Sequence, residues 1–245
     1  MKFRSIAAAL AAALLILVGC EPSEMSALDY QKEISKRGMK FTADGFVNAA
    51  GKNDTGLVRL YIKGTMDVNA VGSSGNTALA MAAYKGGVET VQLLLDAGAN
   101  TEVQNSLGAS VLLDAATRTT PEHIAVVKAL LDFKLNELGT DKLGPSVTAA
   151  FVKAAEMGNV ASMQEFISRG ADINAKAADG RNALISATNK GKKNAVKLLI
   201  DNGCELNDTD SDFNTALAYA EENGWPEIAK MLRAKGAKRF KNKER

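Results

Sequence analysis

Asp208, Asp210 and Asp212 stand at alternate positions, the D-x-D-x-D spacing with which a calcium-binding loop opens. The pattern stops there. Phe213 takes the place of the glycine such a loop needs for its sharp turn, and Tyr219 the place of the closing bidentate glutamate. The three aspartates are therefore expected at the solvated tip of a hairpin. His123, the one histidine of the chain, has no cysteine or histidine neighbours at zinc spacing and is expected in water. No phosphate loop and no G-x-S-x-G nucleophile elbow occurs. The carboxylates are plentiful but scattered over polar faces. No catalytic residue, cofactor or metal is expected, and the chain reads as non-enzymatic.

Cys20 is the residue whose surroundings promise covalent chemistry. Lys2 and Arg4 precede an apolar run from Ile6 to Val18, a charged n-region and an h-region shorter than the ~20 residues that span a bilayer. The run ends in Leu17-Val18-Gly19-Cys20, which resembles a bacterial lipobox. That resemblance implies a signal peptide over residues 1–19, acyl chains on Cys20, and a short Pro22-containing tether over residues 20–27. The protein would then be held on the bacterial cell envelope, with Glu21 after the cysteine tilting the choice toward the outer membrane, facing the periplasm, over the inner membrane. An uncleaved anchor, or an ordinary signal peptide with a chance cysteine, is the other reading.

Loss of Lys2 and Arg4 with such a signal peptide lowers the 30 basic residues to 28, equal to the 28 acidic ones. A neutral body lacks the cationic footprint that nucleic acid demands, so no nucleic-acid partner is expected. With Cys20 consumed, Cys204 has no disulfide partner and reads as a small buried hydrophobe.

The elements that must carry these residues repeat. Gly75–Asn100 reads as a short helix, a Gly-Gly turn and a second helix, with Ala82 and Ala83 small enough to admit a neighbour and Val91, Leu94 and Leu95 forming one apolar stripe. Gly98 then stands where a helix ends in the left-handed region. The alanine doublet recurs at Ala49, Ala82, Ala115 and Ala154, then in altered form at Ala187 and Ala220, in steps of 33, 33, 39, 33 and 33 residues. Two such helices cannot bury their apolar faces alone, so copies must stack.

Period and residue order together resemble the ankyrin repeat. The match lies in Gly75, Thr77 and Leu79 at the start, the alanine doublet, the V-x-x-L-L stripe, the close at Gly98-Ala99, and the D-x-N triplets Asp67-Val68-Asn69 and Asp172-Ile173-Asn174. The resemblance implies an all-α solenoid of about six helix-turn-helix repeats joined by short β-hairpin-like loops. They would cover residues 42–237, as 42–74, 75–107, 108–146, 147–179, 180–212 and 213–237. Residues 28–41 would form an N-terminal capping helix using Leu28, Tyr30 and Ile34, and residues 238–245 a basic tail that complements the last helix dipole or touches anionic lipid.

Some features depart from the regular pattern. The proline and histidine of the family's T-P-L-H start are absent, as in Thr77-Ala78-Leu79-Ala80, which weakens the expected rigidity but not the fold. The 39-residue step places three extra residues in the turn of repeat three and about three in its hairpin, both expected to project as loops. Phe151-Val152-Lys153-Ala154-Ala155 repeats Phe46-Val47-Asn48-Ala49-Ala50 after 105 residues, so the chain looks like two halves of three repeats. Arg233 replaces the second apolar stripe residue in repeat six and marks the C-terminal cap.

In that family the hairpin tips and inner helices form a concave face that binds another protein. The resemblance puts the corresponding residues here at Ser74, Asn76, Ser106, Leu107, Asp179, Arg181, Asp212 and Phe213, with Leu107 and Phe213 either contact residues or packed onto the next helix. The expected protein is a monomer bound to the membrane through its N-terminal lipid and to a protein partner through this groove. An immunity or inhibitor role against a toxin or enzyme is a sub-case. A structural or protective factor for an envelope enzyme or assembly is the alternative.

Overall fold

The computed structural model describes residues 25–105, 108–138 and 144–240, and among them thirteen α-helices and no sheet. The predicted signal peptide, Cys20 and the start of the tether lie outside the described residues, as do Ser106 and Leu107. None of the described helices is long and apolar enough to cross a membrane.

The first helix, α1 (Ala27–Lys36), opens with a capping box in which Ser26 and Asp29 each bond the other's backbone N–H. The pairs that follow are α2 (Ala43–Gly51) with α3 (Thr55–Lys63), α4 (Ala78–Tyr84) with α5 (Val88–Asp96), and α6 (Val111–Ala116) with α7 (Pro121–Leu138). The second half adds α8 (Pro145–Met157) with α9 (Val160–Ser168), α10 (Ala183–Asn189) with α11 (Lys193–Asp201), and α12 (Ala216–Glu222) with α13 (Pro226–Ala234). Even-numbered helices pack on one another in sequence as an inner row, and odd-numbered helices, α1 included, form the outer row. The core lies between rows and between layers: Leu79, Ala82, Ala83, Val91, Leu94 and Leu95 of the second repeat are all buried.

Side-chain caps start five of the six inner helices, and α8 opens on Gly144 and Pro145 instead. Thr42, Thr77, Ser110, Asn182 and Thr215 each accept a hydrogen bond from the backbone N–H three residues on, at 3.0–3.4 Å. Isolated antiparallel bridges, Val71 with Thr77, Gln104 with Ser110 and Thr209 with Thr215, close three hairpins between repeats. The asparagines of the D-x-N triplets, and Asn207 of the Glu205-Leu206-Asn207 variant, tie successive repeats together. Asn69, Asn174 and Asn207 each accept, at 2.7–2.8 Å, from the backbone N–H 31 residues ahead, on Asn100, Glu205 and Lys238.

The irregular third repeat differs from expectation. The extra residues of its turn do not loop out, and those of its hairpin beyond Leu138, residues 139–143, lie outside the described residues. Helix α7 starts six residues after the first doublet alanine, as α5 does, but runs for 18 residues where α5 has 9. The lengthening is helical at both ends because Pro121 suits a first helical turn and the apolar residues continue past Leu131. Arg169, at the end of α9, reaches across to this helix and donates to Asp132 at 2.6 Å and to Glu165 at 2.5 Å. The bond to Asp132, more than offsetting burial, raises the guanidinium pKa further. Within α7, Lys134 is buried and held by Glu102, which also accepts from the Ser146 hydroxyl at 3.2 Å.

His123 is likewise buried, not solvated. Its Nδ1 pairs with the Thr120 hydroxyl at 2.8 Å and its Nε2 with the Tyr84 carbonyl at 3.0 Å. That contact belongs to a series. The last carbonyls of inner helices accept side-chain amides from the next repeat: Ala116 from Asn159 at 3.0 Å and Asn189 from Asn223 at 3.2 Å. Such bonds join repeats where the family's usual histidine is missing.

At the N-terminal end Ile34 is fully buried while Leu28 is 58% exposed. Ile34 thus covers repeat one and the half-buried Tyr30 lies under Lys63, 5.4 Å from its ring centre, whereas Leu28 does not cover it. At the C-terminal end Lys238–Phe240 is not a free tail. Thr215 donates its N–H to the Phe240 carbonyl and its hydroxyl to the Lys238 carbonyl, and Arg239 pairs with Glu221 at 2.8 Å.

Candidate functional site

Four hairpins share one backbone plan. In each, a residue accepts the N–H of the residue three ahead and donates to the carbonyl of the residue four ahead: Gly72, Asn105, Ala177 and Asp210. The plan places the fourth residue in the left-handed region, at Gly75 (φ +76°), Gly108 (+75°), Gly180 (+77°) and Phe213 (+62°). Three hairpins use the residue type that adopts this backbone freely. The last uses phenylalanine, at a backbone cost of ~1–2 kcal/mol. Phe213 is 66% exposed, so it is not buried against the next helix and recovers little by burial.

The hairpin beneath that ring is tightly built. Asp210 is buried, accepts the N–H groups of Asp212 and Asn214 at 3.0 Å, and takes the Tyr219 hydroxyl at 2.6 Å. A carboxylate so committed clamps the turn, which corrects the expectation of three solvated aspartates. Asp208 is half-buried and bonded by Asn182 at 3.1 Å, and Asp212 alone of the three is exposed. Among the described residues, no group of three or more His, Cys, Asp or Glu side chains is placed to hold a metal ion. The Tyr219 clamp was not expected from sequence, where its nine-residue distance from Asp210 is the only signal.

Arg181 links this hairpin to the one before it. Its guanidinium lies 5.8 Å over the Tyr219 ring, 3.9 Å from Asp210 and 3.8 Å from Asp179. Burial disfavours its charge, but the Tyr219 hydroxyl and the two carboxylates outweigh that and hold its pKa above the usual arginine range. Burial, then the bond to Asp210, pushes the Tyr219 hydroxyl up. Ser211 donates to the Asp179 carbonyl at 3.0 Å, so the fifth and sixth tips touch. Asp179, Arg181, Asp212 and Phe213 thus come together as one patch.

Ser74 and Asn76 lie at the other end of the stack. Ser74 is exposed, and Asn76 turns its amide back onto the Ser74 hydroxyl at 3.2 Å, which leaves it half-buried. Between the two ends, the inner helices and the fifth tip enclose a groove of about 320 Å³ lined by Leu113, Val152, Lys153, Glu156, Arg181 and Lys190 among others. Its walls are apolar with charges at the rim. Nothing in it pairs a nucleophile with a base. Cys204 is buried with its thiol pushed up to about 11 by burial, which makes it inert at neutral pH.

A family described as Ankyrin repeats (3 copies) matches residues 46–141 and 151–243, most of the chain. The chain is 33% identical over 109 residues to the Ankyrin repeat and KH domain-containing protein mask of Drosophila melanogaster, spanning 44% of itself but only 3% of that relative. Among solved structures it is similar to the ankyrin repeat protein EF0377, with a TM-score of 0.65 and 28% identity over 78% of this chain and 97% of that one. An ankyrin repeat domain from Acinetobacter baumannii AYE gives a TM-score of 0.65 and 26% identity over 79% and 98%. The ankyrin repeat domain of Bcl-3, of the IkappaB protein family, gives 0.68 at 23% identity over 79% and 86%, a likeness of fold alone. Ankyrin repeats are a general protein–protein interaction module and are generally non-enzymatic. With paired helices, stacked hairpins and a family match over both halves, the chain belongs to the ankyrin repeat family.

Proposed function

We propose that this protein is a non-enzymatic binding protein, held on the bacterial envelope by lipid on Cys20, that captures another protein through its C-terminal hairpin tips and concave groove. The observation that carries the reading is Phe213. A large aromatic side chain stands in water at a backbone position that three sister hairpins give to glycine, so stability is sacrificed where folding gains nothing. Rigid exposed aromatics flanked by an arginine are the composition of contact hot spots. Arg181, fixed over Tyr219, supplies the charge beside it.

The anchor raises the local concentration of the binding face at the membrane, and the tips supply specificity. Affinity capture from solubilised envelope with the intact chain and with Phe213→Ala tests this. The expected result is one stoichiometric partner lost by at least about tenfold in the variant, the scale of a hot-spot truncation. Equal capture by both would refute the role given to Phe213. Recovery of a large assembly in place of one partner would favour a structural or protective role over inhibition or immunity.

A further inference from the structure

The two long edges of the stack differ in charge. The turns joining the helices within repeats, residues 52–54, 85–87, 117–120, 158–159, 190–192 and 223–225, carry Lys52, Lys85, Arg118, Lys190 and Lys192 against Asp54 alone. The hairpins on the opposite edge, residues 64–77, 97–110, 169–182 and 202–215, carry eight carboxylates against three cations. Charge of one sign has therefore been sorted to each side of a nearly neutral body. At the flanks of the basic edge, Glu89, Glu122 and Glu227 open α5, α7 and α13, Glu227 is held by Lys193, Glu156 lies 3.9 Å from Lys190, and Glu221 and Glu222 at the end of α12 pair with Arg233 and Arg239.

The basic edge also carries apolar side chains. Tyr84, Met157 and Trp225 are 43%, 46% and 39% exposed, and they fall at the turns of repeats two, four and six. Arg118 and Lys190 with Lys192 fall at the turns of repeats three and five between them. The row is continuous. The Arg118 guanidinium lies 4.1 Å over the Tyr84 ring, Asn159 donates to the Arg118 carbonyl at 2.6 Å, and Lys192 covers Gly158. At Gly191 an added Cβ would stand 2.7 Å from the Trp225 indole, which lies against that turn.

We propose that this turn edge rests on an anionic lipid surface, with the acidic hairpin edge facing away toward the partner. Alternating aromatic and long basic side chains suit the headgroup layer, where rings sit at the interface and cations reach phosphates. The acidic edge is repelled by the same surface. The proposal rests on the anchor at Cys20. From there to Met25 the chain can reach at most about 18 Å, so the folded body is kept within touching distance of the headgroups.

Trp225 is the sole tryptophan and reports on this edge directly. The purified full chain is reconstituted into vesicles of phosphatidylcholine alone or with phosphatidylglycerol, each with brominated acyl chains, while the mass of its N-terminal peptide shows whether Cys20 carries lipid. Contact predicts about a twofold or greater loss of Trp225 emission in the anionic vesicles, reversed by molar salt and by the joint substitution Lys85→Glu and Lys192→Glu, neither of which lines the groove. Emission that is unquenched, or the same in both compositions, overturns the proposal whatever the state of Cys20. Quenching with an unmodified Cys20 upholds the edge and refutes the anchor.

Discussion

The ring of Phe151 lies 5.6 Å from that of Phe166 at an angle of 48°, and 105 residues earlier Phe46 meets Tyr61 at 5.5 Å and 44°. The same aromatic pair therefore joins inner to outer helix in the first and fourth repeats, and in no other repeat among the described residues. Two halves of the chain share a packing solution, which the repeated Phe-Val-x-Ala-Ala segment foreshadowed. Double-mutant cycles at the two pairs should each give a coupling of ~0.5–1.5 kcal/mol. Unequal couplings, one of them near zero, would show that the halves are not equivalent.

Leu94 is fully buried between layers. Leu94→Ala should cost about 2–5 kcal/mol through lost burial and the cavity left behind. Denaturant titration measures it. A loss below about 0.5 kcal/mol, the range of ordinary surface changes, would place Leu94 outside the core.

Residues 238–240 close the last repeat. Truncation after Ala237 removes the bonds of Lys238 and Phe240 to Asn207 and Thr215, and leaves the fully buried Thr215 hydroxyl without its carbonyl partner. A loss of about 1–3 kcal/mol is expected. Truncation after Phe240 should change thermal stability by no more than about 0.5 kcal/mol.

Cys204 gives a pH signature. Its folded pKa is raised to about 11 by burial, so the folded state keeps a proton that the unfolded thiol loses near 9. Its contribution to stability is complete below pH 9 and disappears as pH rises toward 11. Cys204→Ala, which installs the residue found at Ala99 and Ala171, should flatten that decline without abolishing folding. An unchanged slope in urea titrations from pH 8 to 11 would contradict it.

Phe213 separates strain from contact. Phe213→Gly should raise stability by ~1 kcal/mol by relieving the left-handed backbone, whereas Phe213→Ala keeps the strain. Both should lose partner binding. Stabilisation by Ala equal to that by Gly would mean the cost lies in the ring and not in the backbone.

The stack was legible in sequence because most repeats write the same local demands: a capping Thr, Ser or Asn in five of the six, an alanine doublet in the first four, an apolar stripe in the first five. What escaped depends on contacts between repeats. His123 looked solvated because nothing near it in sequence shows that the Tyr84 carbonyl, 39 residues earlier, would lie against it. Asp210 looked like its neighbours because the N–H groups and the Tyr219 hydroxyl that bury it converge only when the hairpin folds. The extra turn residues of repeat three read as loop because a longer turn and a longer helix have the same residue count. For the candidate site, the positions of Asp179, Arg181, Asp212 and Phe213 were foreseen, but not their convergence, and the left-handed backbone of Phe213 emerges only when the four hairpins are superposed.

The account stands on the last hairpin tip being a contact surface. A photoreactive phenylalanine analogue placed at position 213, and in parallel at Gln92 on the outer row, can be irradiated in intact envelope. The account predicts a covalent adduct with a single protein at 213 and none at 92. No adduct at 213, or the same adducts at both positions, would contradict it.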